Sequence, residues 1–168
     1  YAGQPLVVVV SAMGKTTNAL EEVVQAYAGE TGQAAELLNS VGTMHQAAAD
    51  DLFGANRTLP VFADMEKHFL RIEEMLDKKP MAAYNFIYDQ IVSLGELLAT
   101  RLVSAYLNHV GVANEWLDVR NCLKTDNTYR EANINWEVTN WQVREKVLPM
   151  MRNNKMVVTQ GFIGATIE

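Results

Sequence analysis

The stretch from Leu6 to Val24, LVVVVSAMGKTTNALEEVV, constrains the fold more than any other part of the chain. Leu6 to Val10 is an apolar, mostly β-branched run that reads as a short, fully buried strand. The residues after it are mostly small or polar, and Gly14 is placed for a tight turn. From Thr17 onward the period becomes helical, with Leu20, Val23, Val24 and Tyr27 recurring three and four apart. A strand, a turn and a helix N-terminus make a site for an anionic group. Unpaired backbone N–H donors and the positive end of the helix dipole meet there.

Gly14-Lys15-Thr16 matches the tail of the phosphate-binding pattern GxxxxGK[ST]. The leading glycine of that pattern would fall at Val9, inside the strand, so no glycine-flanked loop is available to wrap phosphates. A P-loop nucleotide hydrolase is therefore the weaker reading, and Lys15 reads as a surface lysine.

At 168 residues the chain can bury one substantial core, and its 49% apolar and 20% charged residues are ordinary for a globular domain. A net charge of −6 argues against nucleic-acid binding, which needs a basic face. The lone cysteine, Cys122, excludes an internal disulfide and fits a reducing compartment, so cytoplasmic residence is the expectation. No apolar run approaches the roughly 20 residues that cross a bilayer, so no membrane association is expected. The start at Tyr1-Ala2-Gly3-Gln4-Pro5 and the end at Thr166-Ile167-Glu168 both read as cuts in a longer protein.

Gly29 to Gly32 reads as a turn, followed by a helix from about Gln33 to Leu52 and a break at Gly54-Ala55-Asn56-Arg57. Pro60 suits the first turn of a third helix, which closes at Lys78-Lys79-Pro80. The fourth helix, about Met81 to Val110, is the longest, with a seam through Ala83, Ile87, Ile91, Leu94, Leu98, Leu102 and Ala105. Glu96 is the only charged residue between Ile91 and Thr100, and a carboxylate buried there needs a partner. Val112 to Leu117 reads as a strand and Asn121 to Val138 as a surface excursion with a small hairpin. A fifth helix runs from about Thr139 to Asn153, a turn falls at Asn153-Asn154, and Met156 to Gln160 is a buried strand. Gly161-Phe162-Ile163-Gly164 is a glycine-flanked loop.

Strands separated by helices predict an α/β chain with a mainly parallel sheet flanked by helices, and a helical section in the first two thirds. The ligand site of such a sheet lies beyond the strand ends, here Ser11, Asp118 and Gly161. The unpaired edges of a partial sheet invite pairing between copies, so a homo-oligomer is expected. A noncatalytic interaction module built on helices two to four is the alternative of a different class.

Four motifs, VVVVSAMGKTTNAL, SLGE at Ser93 to Glu96, LDVRNCLKTD and VVTQGFIG, follow one another in the order seen in aspartate kinases. Over nearly its whole length the sequence resembles the amino-acid kinase catalytic domain of that family. The resemblance implies an amino-acid kinase-like fold, here partial, with residues 1–168 as the N-terminal, substrate-binding portion and no regulatory domain. It implies ATP-dependent phosphorylation of the β-carboxylate of L-aspartate, with Mg²⁺ brought in on the ATP. Relatives acting on acylated glutamate or on nucleotides match less well.

Residue by residue, the resemblance implies that Ser11 and Thr17 hold aspartate and that Glu96 contacts its amino group, with Ser93 one turn earlier in support. An ammonium ion is the partner that a buried carboxylate needs. Gly95 reads as room for a ligand to approach the helix. The family's Lys-Phe-Gly-Gly-Thr/Ser and Gly-Arg-Gly-Gly-Ser-Asp motifs do not occur in these residues, so no catalytic residue is assigned and these residues alone are expected not to turn over.

Asp118 and Arg120 read as a local ion pair. His45, His68 and His109 have no ligand spacing and read as surface or capping residues, so no metal site is expected. Trp116, Trp136, Trp141 and Tyr129 read as packing residues, and Cys122 as a buried bystander.

Overall fold

The computed structural model describes residues 4–54, 56–152 and 156–167. The turn expected at Asn153-Asn154 lies outside the described residues. The elements are strand β1 (Leu6–Val10), helices α1 (Thr16–Ala28), α2 (Ala34–Phe53), α3 (Pro60–Leu76), α4 (Tyr84–Val92) and α5 (Leu94–His109), strand β2 (Asn114–Trp116), strand β3 (Lys124–Thr125), helix α6 (Trp136–Arg152), and strands β4 (Met156–Gln160) and β5 (Ala165–Thr166). A 3-10 turn, Val119–Asn121, follows β2.

The apolar runs form a parallel sheet in the order β1-β4-β2, with Val10 opposite Gln160 and Trp116 opposite Val158. β4 is central and buried throughout. Its alternating side chains serve two layers. Val157 packs with Leu117, Cys122 and Val147, placing α6 on one face. Gln160 reaches Thr100 of α5 on the other. β3 and β5 form a second, two-stranded parallel ladder that the sequence reading lacked. The excursion does hold a small hairpin, closed by a Thr125–Ile134 bridge.

The larger core joins helices α1 to α5, with Leu20, Val23, Leu38, Ile87, Ile91 and Leu98 all fully buried or nearly so. The helical section is thus continuous with the helix that follows β1.

Three expectations change. β1 is an edge strand, with Val9 61% exposed, because among the described residues β4 pairs with only one of its edges. The long fourth helix starts at Tyr84 and is interrupted at Ser93; the apolar seam runs through the interruption, so periodicity does not reveal it. α6 begins three residues early at Trp136, where the Asn135 side chain accepts the Val138 N–H at 3.1 Å as an N-terminal cap.

Candidate functional site

Parallel strands bring their carboxyl ends to one edge of the sheet. The Gly161 N–H donates to the Val10 carbonyl at 3.1 Å, and a Cβ on Gly161 would lie 3.7 Å from the Ser11 hydroxyl. The chain leaving β2 is fixed there too, through the Leu117 N–H on the Val158 carbonyl at 2.9 Å.

The turn between β1 and α1 is built around Gly14, whose φ of +54° lies in the left-handed region that favours glycine. Thr16 closes it: its N–H and hydroxyl both donate to the Met13 carbonyl, at 3.1 and 2.6 Å. Thr16 is wholly buried, whereas Thr17 is half-buried and Ser11 exposed. Among the described residues neither the Ser11 nor the Thr17 hydroxyl is engaged in a bond within the protein. Lys15 is exposed, as expected, and Val9 belongs to β1, so no phosphate-wrapping loop exists.

Glu96 lies in the first turn of α5 and is only 6% exposed. Burial pushes the carboxyl above its ordinary value, and the backbone groups of Glu96 itself and of Ala12, in the β1–α1 turn, oppose that shift without cancelling it. Among the described residues no lysine or arginine pairs with it. The site therefore holds a buried carboxylate that lacks a cation, beside two unengaged hydroxyls and a helix N-terminus.

Gly95 has a different use from the one expected. A Cβ there would lie 3.0 Å from Ala12 Cβ and 3.2 Å from Thr16 Cγ2, so the missing side chain lets α5 close onto the β1–α1 turn. The space belongs to the protein and leaves no room for a ligand. Ser93 sits at the junction of α4 and α5, and its hydroxyl donates to the Gln90 carbonyl at 3.4 Å.

Asp118 and Arg120 form the local pair expected of them, with Arg120 Nε 2.9 Å from Oδ1 and Nη2 2.6 Å from Oδ2. Burial raises the Asp118 carboxyl, but the bonds and charge of Arg120 outweigh it and the net displacement is downward. Cys122 is buried and its thiol pushed up, as befits a bystander.

His45 is a correction: it is wholly buried, on the same stripe of α2 as Leu38, Val41 and Ala49. Its place four residues after Val41 and four before Ala49 was the available signal. His68 is half-buried near Asp118 and Arg120, while His109 is exposed at the end of α5. Trp136 and Trp141 are 64% and 59% exposed rather than packed, because α6 turns Val143, Val147, Met150 and Met151 inward and these two lie off that stripe. Trp116 instead carries the Arg101 guanidinium 3.5 Å above its ring.

The sequence reading missed two buried polar residues beside the site, Thr100 and Gln160. A threonine four residues after Glu96 and a glutamine ending an apolar strand were the signals available.

In an α/β domain of this architecture, the place where parallel strand ends meet a helix N-terminus is where small ligands generally bind. The chain belongs to the Amino acid kinase family, whose family model matches residues 1–168. It is similar to lysine-sensitive aspartokinase 3 of Escherichia coli (strain K12), 28% identical over 158 residues, which is 94% of this chain and 34% of that protein. An aspartokinase of Chlamydia muridarum (strain MoPn / Nigg) is 27% identical over 163 residues, 97% of this chain and 34% of the relative. Aspartokinase 2, chloroplastic, of Arabidopsis thaliana is 37% identical over 112 residues, 62% of this chain and 19% of the relative. The crystal structure of E. coli aspartokinase III with lysine and aspartate superposes with a TM-score of 0.84 at 26% identity, over 96% of this chain and 35% of that one. The same enzyme with aspartate and ADP matches equally well. The chain spans about a third of the length of the first two of these relatives.

Proposed function

We propose that these residues are the N-terminal, substrate-binding portion of an aspartate kinase catalytic domain. That enzyme transfers the γ-phosphoryl group of ATP to the β-carboxylate of L-aspartate, giving 4-phospho-L-aspartate and ADP, the first step of lysine, threonine and methionine synthesis. The observation that carries this reading is Glu96, a buried carboxylate that no cation among the described residues pairs with.

In this reading Glu96 holds the α-ammonium of aspartate, a charge-assisted bond strengthened by burial. Ser11 and Thr17 donate their hydroxyls to a substrate carboxylate, the N-terminus of α1 adds a favourable dipole, and Ser93 lines the same junction. These groups bind and orient the acceptor, which is how phosphoryl transfer is mostly catalysed. Mg²⁺ enters with the phosphates of the nucleotide, as is usual for phosphoryl transfer. Among the described residues no helix is long and apolar enough to cross a membrane. A buried lone thiol supports a reducing compartment, the cytoplasm, and the exposed edge of β1 supports assembly of copies.

The test is Glu96→Ala in the complete protein that contains these residues. The KM for L-aspartate should rise by about a hundredfold while the KM for ATP moves by less than about threefold. Equal rises in both constants, or no aspartate-dependent ADP release from the wild type, would overturn the reading.

A further inference from the structure

We infer that Thr100 and Gln160 form a brace that holds Glu96 in place against the loops leaving β2 and β4, which makes both of them positioning residues for the ammonium-binding carboxylate. This rests on the aspartate reading of the Glu96 site and extends it to two residues that touch no ligand.

The bonding pattern leaves little freedom. The Thr100 hydroxyl accepts the Trp116 indole N–H at 2.9 Å and the Gln160 side-chain amide at 2.8 Å. Its single proton goes to the Glu96 carbonyl at 2.8 Å, shared with that of Leu97 at 3.2 Å. An indole N–H only donates and a carbonyl only accepts, so every role around this oxygen is forced and its capacity is filled. The other end of the Gln160 amide is fixed in the same way: its oxygen accepts the Val119 N–H at 2.7 Å. Thr100 is wholly buried and Gln160 is 3% exposed, so each bond replaces water that cannot enter.

Four segments are thereby tied to one point. β2 contributes Trp116, the turn after it Val119, β4 its last residue, and α5 the turn that begins at Glu96. Thr100 lies about 6 Å further along the helix axis from Glu96. The first turn of α5 is thus held twice, by the close packing of Gly95 on Ala12 and by this network at the Glu96 carbonyl. Removing the second anchor leaves the carboxylate attached to a turn free to shift by a fraction of an ångström. A charged hydrogen bond to a substrate is sensitive to displacements of that size.

The measurement compares Thr100→Val, Thr100→Ser and Gln160→Met. In the complete protein, Thr100→Val and Gln160→Met should each raise the KM for L-aspartate about tenfold and leave that for ATP within about twofold, and Thr100→Ser should restore the wild-type value. In the complete protein the Glu96 carboxyl, followed by ¹³C NMR, should titrate closer to an ordinary glutamate in Thr100→Val and Gln160→Met and unchanged in Thr100→Ser. An unmoved Glu96 titration in a folded variant, or KM values that rise together for both substrates, would overturn the brace. Should Thr100→Val not fold, Gln160→Met decides the matter alone. If the wild type has no aspartate kinase activity, the aspartate reading falls and the brace is judged on the Glu96 titration.

Discussion

Gly95 packs against Ala12 so closely that an added methyl group would sit 3.0 Å from the Ala12 Cβ and 3.2 Å from Thr16 Cγ2. The Ala12 backbone also favours the charged form of the neighbouring Glu96 carboxylate, and the packing contact sets the depth at which α5 enters the β1–α1 turn.

Gly95→Ala should therefore act on both fold and site. Helix propensity favours alanine by about 1 kcal/mol, but overpacking against a rigid backbone-borne methyl and a wholly buried threonine costs about 1–3 kcal/mol. The second effect wins, and a net loss of about 1 kcal/mol lowers Tm by about 2–4 °C in a chain of this size. The KM for aspartate in the complete protein should also rise, since Glu96 moves with its neighbour. Thermal denaturation that shows a gain in Tm for Gly95→Ala would mean that the α5 turn yields freely.

Glu96 itself should cost stability at neutral pH. Its folded carboxyl titrates above the ordinary 4.5 because burial penalises the charged form. A group displaced upward contributes stability below its unfolded pKa and loses that contribution as pH rises through the folded one. Glu96→Gln keeps the size and shape of the side chain and carries no charge. The variant should exceed the wild type in Tm by about 2–4 °C at pH 7.5, a gain of about 1 kcal/mol, and the difference should vanish by pH 4. A constant difference across that range would show that the charge has no part in it.

What the sequence made legible follows the range of the forces involved. Apolar runs at Leu6–Val10 and Met156–Gln160 announced a parallel sheet because a buried strand has few other ways to look. The same composition was a poor guide to exposure, since whether β1 is covered depends on elements distant in sequence. Glu96 stood out because an apolar helix surrounded it. Gly95 was misread because a glycine looks alike whether a ligand or Ala12 fills the space beside it. The bond between Thr100 and Gln160 was not legible, for it depends on the angle between segments 60 residues apart, although each residue's polar character in an apolar stretch was a signal.

His45 shows a pH dependence of the opposite sign. Its Nδ1 lies 2.8 Å from the Val41 carbonyl, which only accepts, so Nδ1 carries the proton and the buried Nε2 is bare and unpartnered. Burial holds the ring below its ordinary 6.5, with the Val41 bond opposing weakly. The unfolded chain then binds the proton more readily. Stability is full above pH 6.5 and is lost as pH falls toward the depressed folded value, with a slope of at most about 1.4 kcal/mol per pH unit for one proton. His68, also lowered by burial with help from Arg120 and Arg101, adds to the same slope. Urea midpoints measured between pH 7.5 and 5 should fall for the wild type and fall distinctly less for His45→Leu, which keeps the apolar contact with Phe69 and has nothing to protonate. Parallel curves for the two proteins would place the proton uptake elsewhere.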